Sequence, residues 1–415
     1  MEPKPYRAED LFEWVTRPGE EFLLLDVRVN EQFDRFKVEG PFLSEMVNVP
    51  YVEFVEHEEE SVARVPAAEK VRIVCAKEGS AKYVAEILVN HGFKDVRYLE
   101  GGIKNWGNML APELVASDGG YKLYQFIRPG KASCSYGLIY NDEMVLFDPS
   151  RNVEFYQHFA ENNAARIVKS CETHLQADYI SGSQKIAADH GAHILGHEND
   201  FKGAAFQYEK IVDEQVYSFS NGGPEIKALH MPGHTPGSTS YLIDNKYLIT
   251  GDTVFILSIG RPDLGHTPGS TSYLIDNKYL ITGDTVFILS IGRPDLGGKA
   301  EDWSKLLYNT LKKKIAGLKD DLVILPGHYM DWSEANPSRV FSDTLGNIKS
   351  KNSEIYGISS ETEFIEFIKN NMRPQPEVYA EIRKVNAGLL EVDAEEQEIM
   401  DLGKNECAAS AQKAS

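Results

Sequence analysis

Cysteine is scarce in this chain. There are four in 415 residues, Cys75, Cys134, Cys171 and Cys407. So few, so scattered, they make no disulfide framework, and a reducing cytoplasm is the expected compartment. Basic residues are outnumbered: 43 Lys and Arg face 63 Asp and Glu, a net charge of −20. That balance argues against nucleic acid or an anionic membrane as the main partner, and an anionic substrate must be met by local donors. Long hydrophobic runs are missing too. Nothing reaches the roughly 18 consecutive apolar residues of a membrane span. The opening stretch MEPKPYRAEDLFEW is acidic and has no apolar signal core, so no targeting segment is expected there. What is left is an ordinary globular composition, 42% hydrophobic, in a chain long enough for two or three domains.

The most informative stretch is Met231 to Phe255, MPGHTPGSTSYLIDNKYLITGDTVF. Ser240–Ile243 and Tyr247–Ile249 are short apolar runs around the turn signal Asp244-Asn245, which predicts a hairpin. His234 precedes its first strand and Asp252 follows its second, so folding should bring an imidazole beside a carboxylate. Residues 234–265 then recur unchanged at 266–297. A perfect tandem copy is not a solenoid, whose units drift and number several. Only one hairpin can fill the core position, and the spare copy is expected to loop out with uncovered apolar strands. Four pairings are open, His234 or His266 with Asp252 or Asp284. The upstream strand EIKALHMPG favours His234, membership of the same hairpin favours Asp252, and Asp284 keeps the downstream context.

Residues 1–112 alternate strand and helix signals, which predicts a parallel sheet. Phe22–Val27 and Val71–Cys75 read as buried strands. Cys75 sits at a strand end before the loop Ala76–Ser80 and a helix expected near Ala81. Converging N–H groups and the helix dipole there suit a reactive thiolate that carries sulfane sulfur. The run LLLDVR, VNVP, VCAKEGSAKYVAEIL and YLEGGIKNW resembles a rhodanese domain, which implies that Cys75 is the persulfide-forming cysteine. The loop carries Lys77 beside Glu78, where rhodaneses often carry arginines.

Residues 113–120 read as a linker, and a second domain is expected over 118–345, with a helical extension at 346–415. His174 falls in a loop after the strand Arg166–Cys171, and His328 follows the strand Leu322–Leu325. His190, His193 and His197 are irregularly spaced and read as surface or core histidines, and Cys407 as incidental. Two imidazoles and a carboxylate with open positions suit non-haem Fe(II), and Zn(II) accepts the same donors; His174, His234 and Asp252 are the candidates.

The set THLQAD, PGHTPGS, TGD and PGH is similar to the metallo-β-lactamase fold. With it the expected fold class is an α/β rhodanese domain, then an αββα sandwich, then the helical extension. Within that superfamily the motifs look most like the persulfide dioxygenases, helped by GRPDL at 260–264. The resemblance implies one Fe(II) per chain on His174, His234 and Asp252, or Asp284 in its place, with Asp178 and His328 as outer groups that orient the ligands. It also implies a low-molecular-weight thiol persulfide and O2 as substrates, sulfite and thiol as products, and sulfur transfer through Cys75. Arg261 could clamp an acidic group of the thiol carrier, or simply pair with Asp263. A homo-oligomer is expected. Dinuclear hydrolases of this fold, such as hydroxyacylglutathione hydrolases, carry HxHxDH, whereas Gln176 and Tyr179 stand at the second and last histidines here. A zinc thioester hydrolase is the alternative, and a sulfur-carrier protein without oxygenase activity is another.

Overall fold

A computed structural model describes residues 2–118, 120–232, 235, 237, 239–243, 247–249, 252–255, 273–275, 279–281, 283–287, 300–317, 319–370, 376 and 378–403, the strands at 247–255 and 273–287 as backbone only. The chain divides into two compact units, Met1–Ala111 with Arg128–Lys131 and Leu402–Lys404, and Pro112–Ile127 with Ala132–Asp401 and Asn405–Ser415.

In the first unit five strands form a sheet in the order β1-β5-β4-β2-β3: β1 (Lys4–Tyr6), β2 (Leu23–Asp26), β3 (Glu45–Asn48), β4 (Lys70–Val74) and β5 (Asp95–Leu99). Every pairing is parallel, as the alternation of strand and helix signals predicts. Leu23, Leu25, Val71, Ile73, Val84, Leu88 and Val96 fill its core. One ion pair is buried at the end of β2: the Arg28 guanidinium lies 2.6 Å from the Asp26 carboxylate and donates to the Phe36 carbonyl. Its remaining donors are thus satisfied, the condition under which a buried charge is tolerated.

In the second unit a seven-stranded sheet runs β12-β11-β10-β9-β8-β7-β6. Its strands are β6 (Ala111–Asp118), β7 (Tyr121–Arg128), β8 (Ser133–Tyr140), β9 (Glu143–Phe147), β10 (Arg166–Cys171), β11 (His193–His197) and β12 (Glu209–Ile211). The expectation of a linker at 113–120 is therefore corrected, because most of it is an edge strand. Glu, Ser and Asp there suggest a loop, but an edge strand exposes one rim to water and tolerates them. The pairings β9–β10, β10–β11 and β11–β12 are parallel. Their C-terminal ends lie at one edge, the usual place for a site in an open sheet of this kind.

A second sheet is antiparallel: β13 (Val216–Phe219), β14 (Gly222–His230), β15 (Thr239–Ile243) and β16 (Tyr247–Ile249). The hairpin read from the sequence is present, with Leu242 opposite Leu248. The repeated copy does not simply loop out. Strands β17 (Asp252–Phe255) and β20 (Gly283–Phe287) form a parallel pair, with Asp252 opposite Gly283. Between them β18 (Tyr273–Ile275) and β19 (Tyr279–Ile281) form a second hairpin. It joins β21 (Val323–Ile324) and β22 (Asp343–Thr344) in another sheet, with Tyr279 opposite Val323. Both copies find strand partners because a β ladder satisfies backbone groups whichever copy supplies them.

Helices follow at Leu345–Lys351, Glu361–Asn370, Val378–Asn386 and Ala394–Asp401. They belong to the second unit, and Tyr379, Ile382 and Val385 pack against Ala177 and Ile180. No helix among the described residues is long and apolar enough to cross a membrane.

Candidate metal centre

His174 is set at the end of β10 by a chain of hydrogen bonds. The Asp148 carboxylate accepts the backbone N–H of Thr173 at 2.8 Å and its hydroxyl at 2.8 Å. The Thr173 oxygen lies 2.9 Å from Nδ1 of His174. A hydroxyl has one hydrogen, and Asp148 takes it. Nδ1 of His174 must then donate, so Nε2 carries the lone pair. That is the tautomer a metal ligand needs, fixed from behind as ligating histidines usually are. Asp148 holds a left-handed backbone, φ 50°, a strained conformation of a kind found at functional sites.

The following loop carries the other motif residues. Asp178 and His328 meet, Oδ2 to Nε2 at 3.0 Å, both almost wholly buried. Gln176 and Tyr179 are buried beside them. The Tyr179 hydroxyl donates to the Asp148 carbonyl at 3.3 Å, and the Gln176 side-chain amide lies 3.5 Å from Nδ1 of His174, where a flip of the amide turns its oxygen to the ring N–H. Beneath the loop, Asn386 donates to the carbonyls of Gln176 and Tyr179 and accepts from the N–H of Ser181. Glu172 is buried in the same region; burial pushes its carboxyl up to about 7, against the pull of the hydroxyls of Ser181 and Ser183.

The PGHTPGS stretch closes the β14–β15 connection, where His230 stands opposite Thr239. Its Thr235 and Gly237 are described and bind Asp200. His234, His266 and Arg261 lie outside the described residues, as do the side chains of Asp252 and Asp284. Among the described residues no group of three His, Cys, Asp or Glu side chains is placed to hold a metal. The donor types nonetheless suit Fe(II) or Zn(II), because His174 presents a neutral imidazole nitrogen from a buried, rigid seat.

In the first unit Cys75 directly follows β4 and is buried, 7% exposed. The helix after it begins at Glu78 and not near Ala81, so most of the expected loop is the first helical turn. Glu78, an acid in that turn, explains the early start, and its carboxylate accepts the N–H of Gly101 at 3.2 Å. Gly102 is required beside the cysteine. Its φ is +69°, and a Cβ there would stand 2.6 Å from the Cys75 carbonyl oxygen.

Of the three histidines expected to be unremarkable, His197 stacks on His230 with ring centroids 4.2 Å apart and planes 4° apart. Burial and the second ring hold His197 down to about 4. Asp148, Thr173, Asp200 and Asn386 were not singled out by the sequence. Only the Asp-Pro-Ser turn after β9 hints at Asp148, and Thr173 is marked only by standing beside His174; the partners of Asp200 and Asn386 are far apart in the chain.

Comparison with known proteins supports the two-domain architecture. Residues 9–109 match the Rhodanese-like domain and residues 129–277 the Metallo-beta-lactamase superfamily. The chain is 28% identical over 127 residues to a hydroxyacylglutathione hydrolase of Prochlorococcus marinus, 29% of this chain and 49% of that one. It is 30% identical over 106 residues to glyoxylase B2 of Dictyostelium discoideum, 21% of this chain and 36% of that one. It thus spans about half the length, or less, of these curated relatives. A metallo-β-lactamase of Staphylococcus aureus shares its fold, with a TM-score of 0.51 at 23% identity over 66% of this chain and 74% of that one.

Proposed function

We propose that this chain, a rhodanese-like domain followed by a metallo-β-lactamase-superfamily domain, oxidises the terminal sulfur of a low-molecular-weight thiol persulfide. The balanced reaction is RSSH + O2 + H2O → RSH + H2SO3. The sulfane sulfur is oxidised, O2 is reduced, and the thiol is released. One Fe(II) per chain, held by His174, His234 and Asp252 with Asp284 as the alternative carboxylate, would supply adjacent open positions for persulfide and O2.

The protein's own residues do the rest. Thr173 fixes the ring of His174 and keeps Nε2 free of a proton. Arg261 binds an acidic group on the thiol carrier. Cys75 accepts or returns sulfane sulfur, which couples the two domains chemically. The expected setting is the cytoplasm, where reduced thiols supply the carrier.

The observation that carries this reading is the seat of Tyr179. At a position where the dinuclear hydrolases of this fold have a histidine, its hydroxyl is spent on the Asp148 carbonyl. With Gln176 in the other such place, Asp178 and His328 are left facing each other, which favours a single metal. The second reading, a zinc thioester hydrolase, is favoured by the hydroxyacylglutathione hydrolases among the relatives. The test is metal analysis of the purified protein with O2 uptake on a thiol persulfide. One iron with O2 uptake and sulfite release is expected. Two zinc ions with thioester hydrolysis would replace the proposal with its rival.

A further inference from the structure

We propose that Asp200 is the positioning residue that sets the spacing between the two histidine-bearing loops. The assignment rests on the reading of His174 and His234 as metal ligands. Asp200 belongs to neither loop. It lies in the single helical turn Glu198–Phe201 that follows β11, and it is 8% exposed. Its Oδ2 accepts the backbone N–H of Leu175 at 3.1 Å and the hydroxyl of Thr235. Its Oδ1 accepts the N–H of Gly237 at 2.6 Å. Leu175 is the residue after His174, and Thr235 the residue after His234. One buried carboxylate therefore fastens the chain directly beyond each histidine.

The chemistry demands aspartate. All three partners donate, and only an ionised carboxylate has enough lone pairs to accept from them all. An asparagine would turn an NH2 group onto donors, and a glutamate would be a methylene too long. The positive charge of Arg383 interacts favourably with the Asp200 carboxylate.

The same contact explains two letters of the PGHTPGS motif. Thr235 supplies the hydroxyl. Gly237 is needed because a Cβ there would stand 2.5 Å from the Asp200 backbone nitrogen and 2.7 Å from its side chain. His174 is already held from behind by Thr173 and Asp148. What those bonds leave open is the distance from His174 to the other loop, and Asp200 closes that gap. Because it grips Thr235 and Gly237, Asp200 commits the histidine loop of the first copy to the site.

The test uses the full chain, stripped of metal and titrated anaerobically with Fe(II) and with Co(II), whose visible bands report ligand geometry. Parent, Asp200→Ala, Asp200→Asn, Thr235→Val and Thr235→Ser proteins are compared. Both Asp200 variants should bind metal at least about tenfold more weakly, the usual cost of removing an outer-shell partner, with displaced Co(II) bands. Thr235→Val should lose affinity, and Thr235→Ser should regain the parental value. An Asp200→Ala protein that keeps the parental melting temperature, metal affinity and Co(II) spectrum would overturn the assignment and leave the persulfide reading untouched. If Asp200→Ala does not fold, equal affinities of parent and Thr235→Val overturn it instead. A parent that binds metal but consumes no O2 with a thiol persulfide removes the persulfide reading and leaves Asp200 in its role.

Discussion

The Thr173 hydroxyl stands between the Asp148 carboxylate, 2.8 Å away, and Nδ1 of His174, 2.9 Å away. It passes its own hydrogen to the carboxylate and takes one from the ring, so the preference of Asp148 for donors fixes the tautomer of His174. Thr173→Val keeps the shape and removes the relay. It should weaken metal binding about tenfold, whereas Thr173→Ser should bind as the parent does. Competition with a chelator of known affinity measures both. Equal binding by the valine protein would mean that the ring is oriented by something else.

Gln176 and Tyr179 permit a gain-of-site experiment. Placing histidine at both positions would give Asp178 and His328 new neighbours able to share a second metal. The Gln176→His, Tyr179→His double variant should rise from one metal per chain to two, read by elemental mass spectrometry against protein concentration. A parent already carrying two metals would contradict the single-metal reading without any mutagenesis.

Much of the architecture could be read from local patterns. The parallel sheet of the first unit follows from LLLD and KVRIV, each a short, mostly apolar strand followed by helix signals. The hairpin of β15 and β16 follows from two apolar runs around Asp-Asn. His174 and Cys75 are legible as candidates because each stands at the end of a strand. Asp200 and Asn386 are not, because nothing local marks them. Asn386 sits in a helix that reads as an ordinary amphipathic segment, and its partner Tyr179 is 207 positions away in sequence. The edge strand β6 reads as a linker for the related reason that one-sided burial weakens its apolar signal.

Asn386 should matter more than a surface extension would. Its amide serves three backbone groups of the loop carrying Asp178. Replacing it with leucine keeps the bulk but leaves those groups buried without a partner, at a cost of about 2 kcal/mol or more. In a unit of this size that is a loss of roughly 3 °C or more in melting temperature. Calorimetry of metal-free and metal-loaded protein checks it, and the loaded form should lose more because the loop is then part of the site. An unchanged melting temperature would show that water replaces the amide.

The stacked pair His197 and His230 sets a pH dependence. His197 is held down to about 4 by burial and by the second ring, against the opposing pull of Asp213 and Glu198. In the unfolded chain an ordinary histidine titrates near about 6.5. As pH falls from there to about 4, the unfolded state binds a proton that the folded state refuses. Stability present above 6.5 is therefore lost through that window. The melting temperature of the parent should fall more steeply between pH 7 and 5 than that of His197→Gln. Parallel curves would show that the ring is neutralised by other means.

The duplication leads to the last prediction. Tyr247–Ile249 and Tyr279–Ile281 are the same three residues, yet the first ends the sheet of β13 to β16 and the second pairs with β21. Removing residues 266–297 deletes β18, β19 and β20 but no unique sequence. The surviving hairpin then presents to β21 the same side chains in the same order that β19 presents now, so β16 can take its place in the ladder. One six-stranded sheet, β13-β14-β15-β16-β21-β22, should replace two sheets, and β16 and β18 no longer end sheets of their own. Asp252 would inherit the downstream context of Asp284 and become the sole candidate carboxylate. The shortened chain should melt at the same temperature or higher, aggregate less on heating, and keep its metal content. Loss of metal on deletion would instead show that the site draws on both copies, because a single copy would then be unable to complete it.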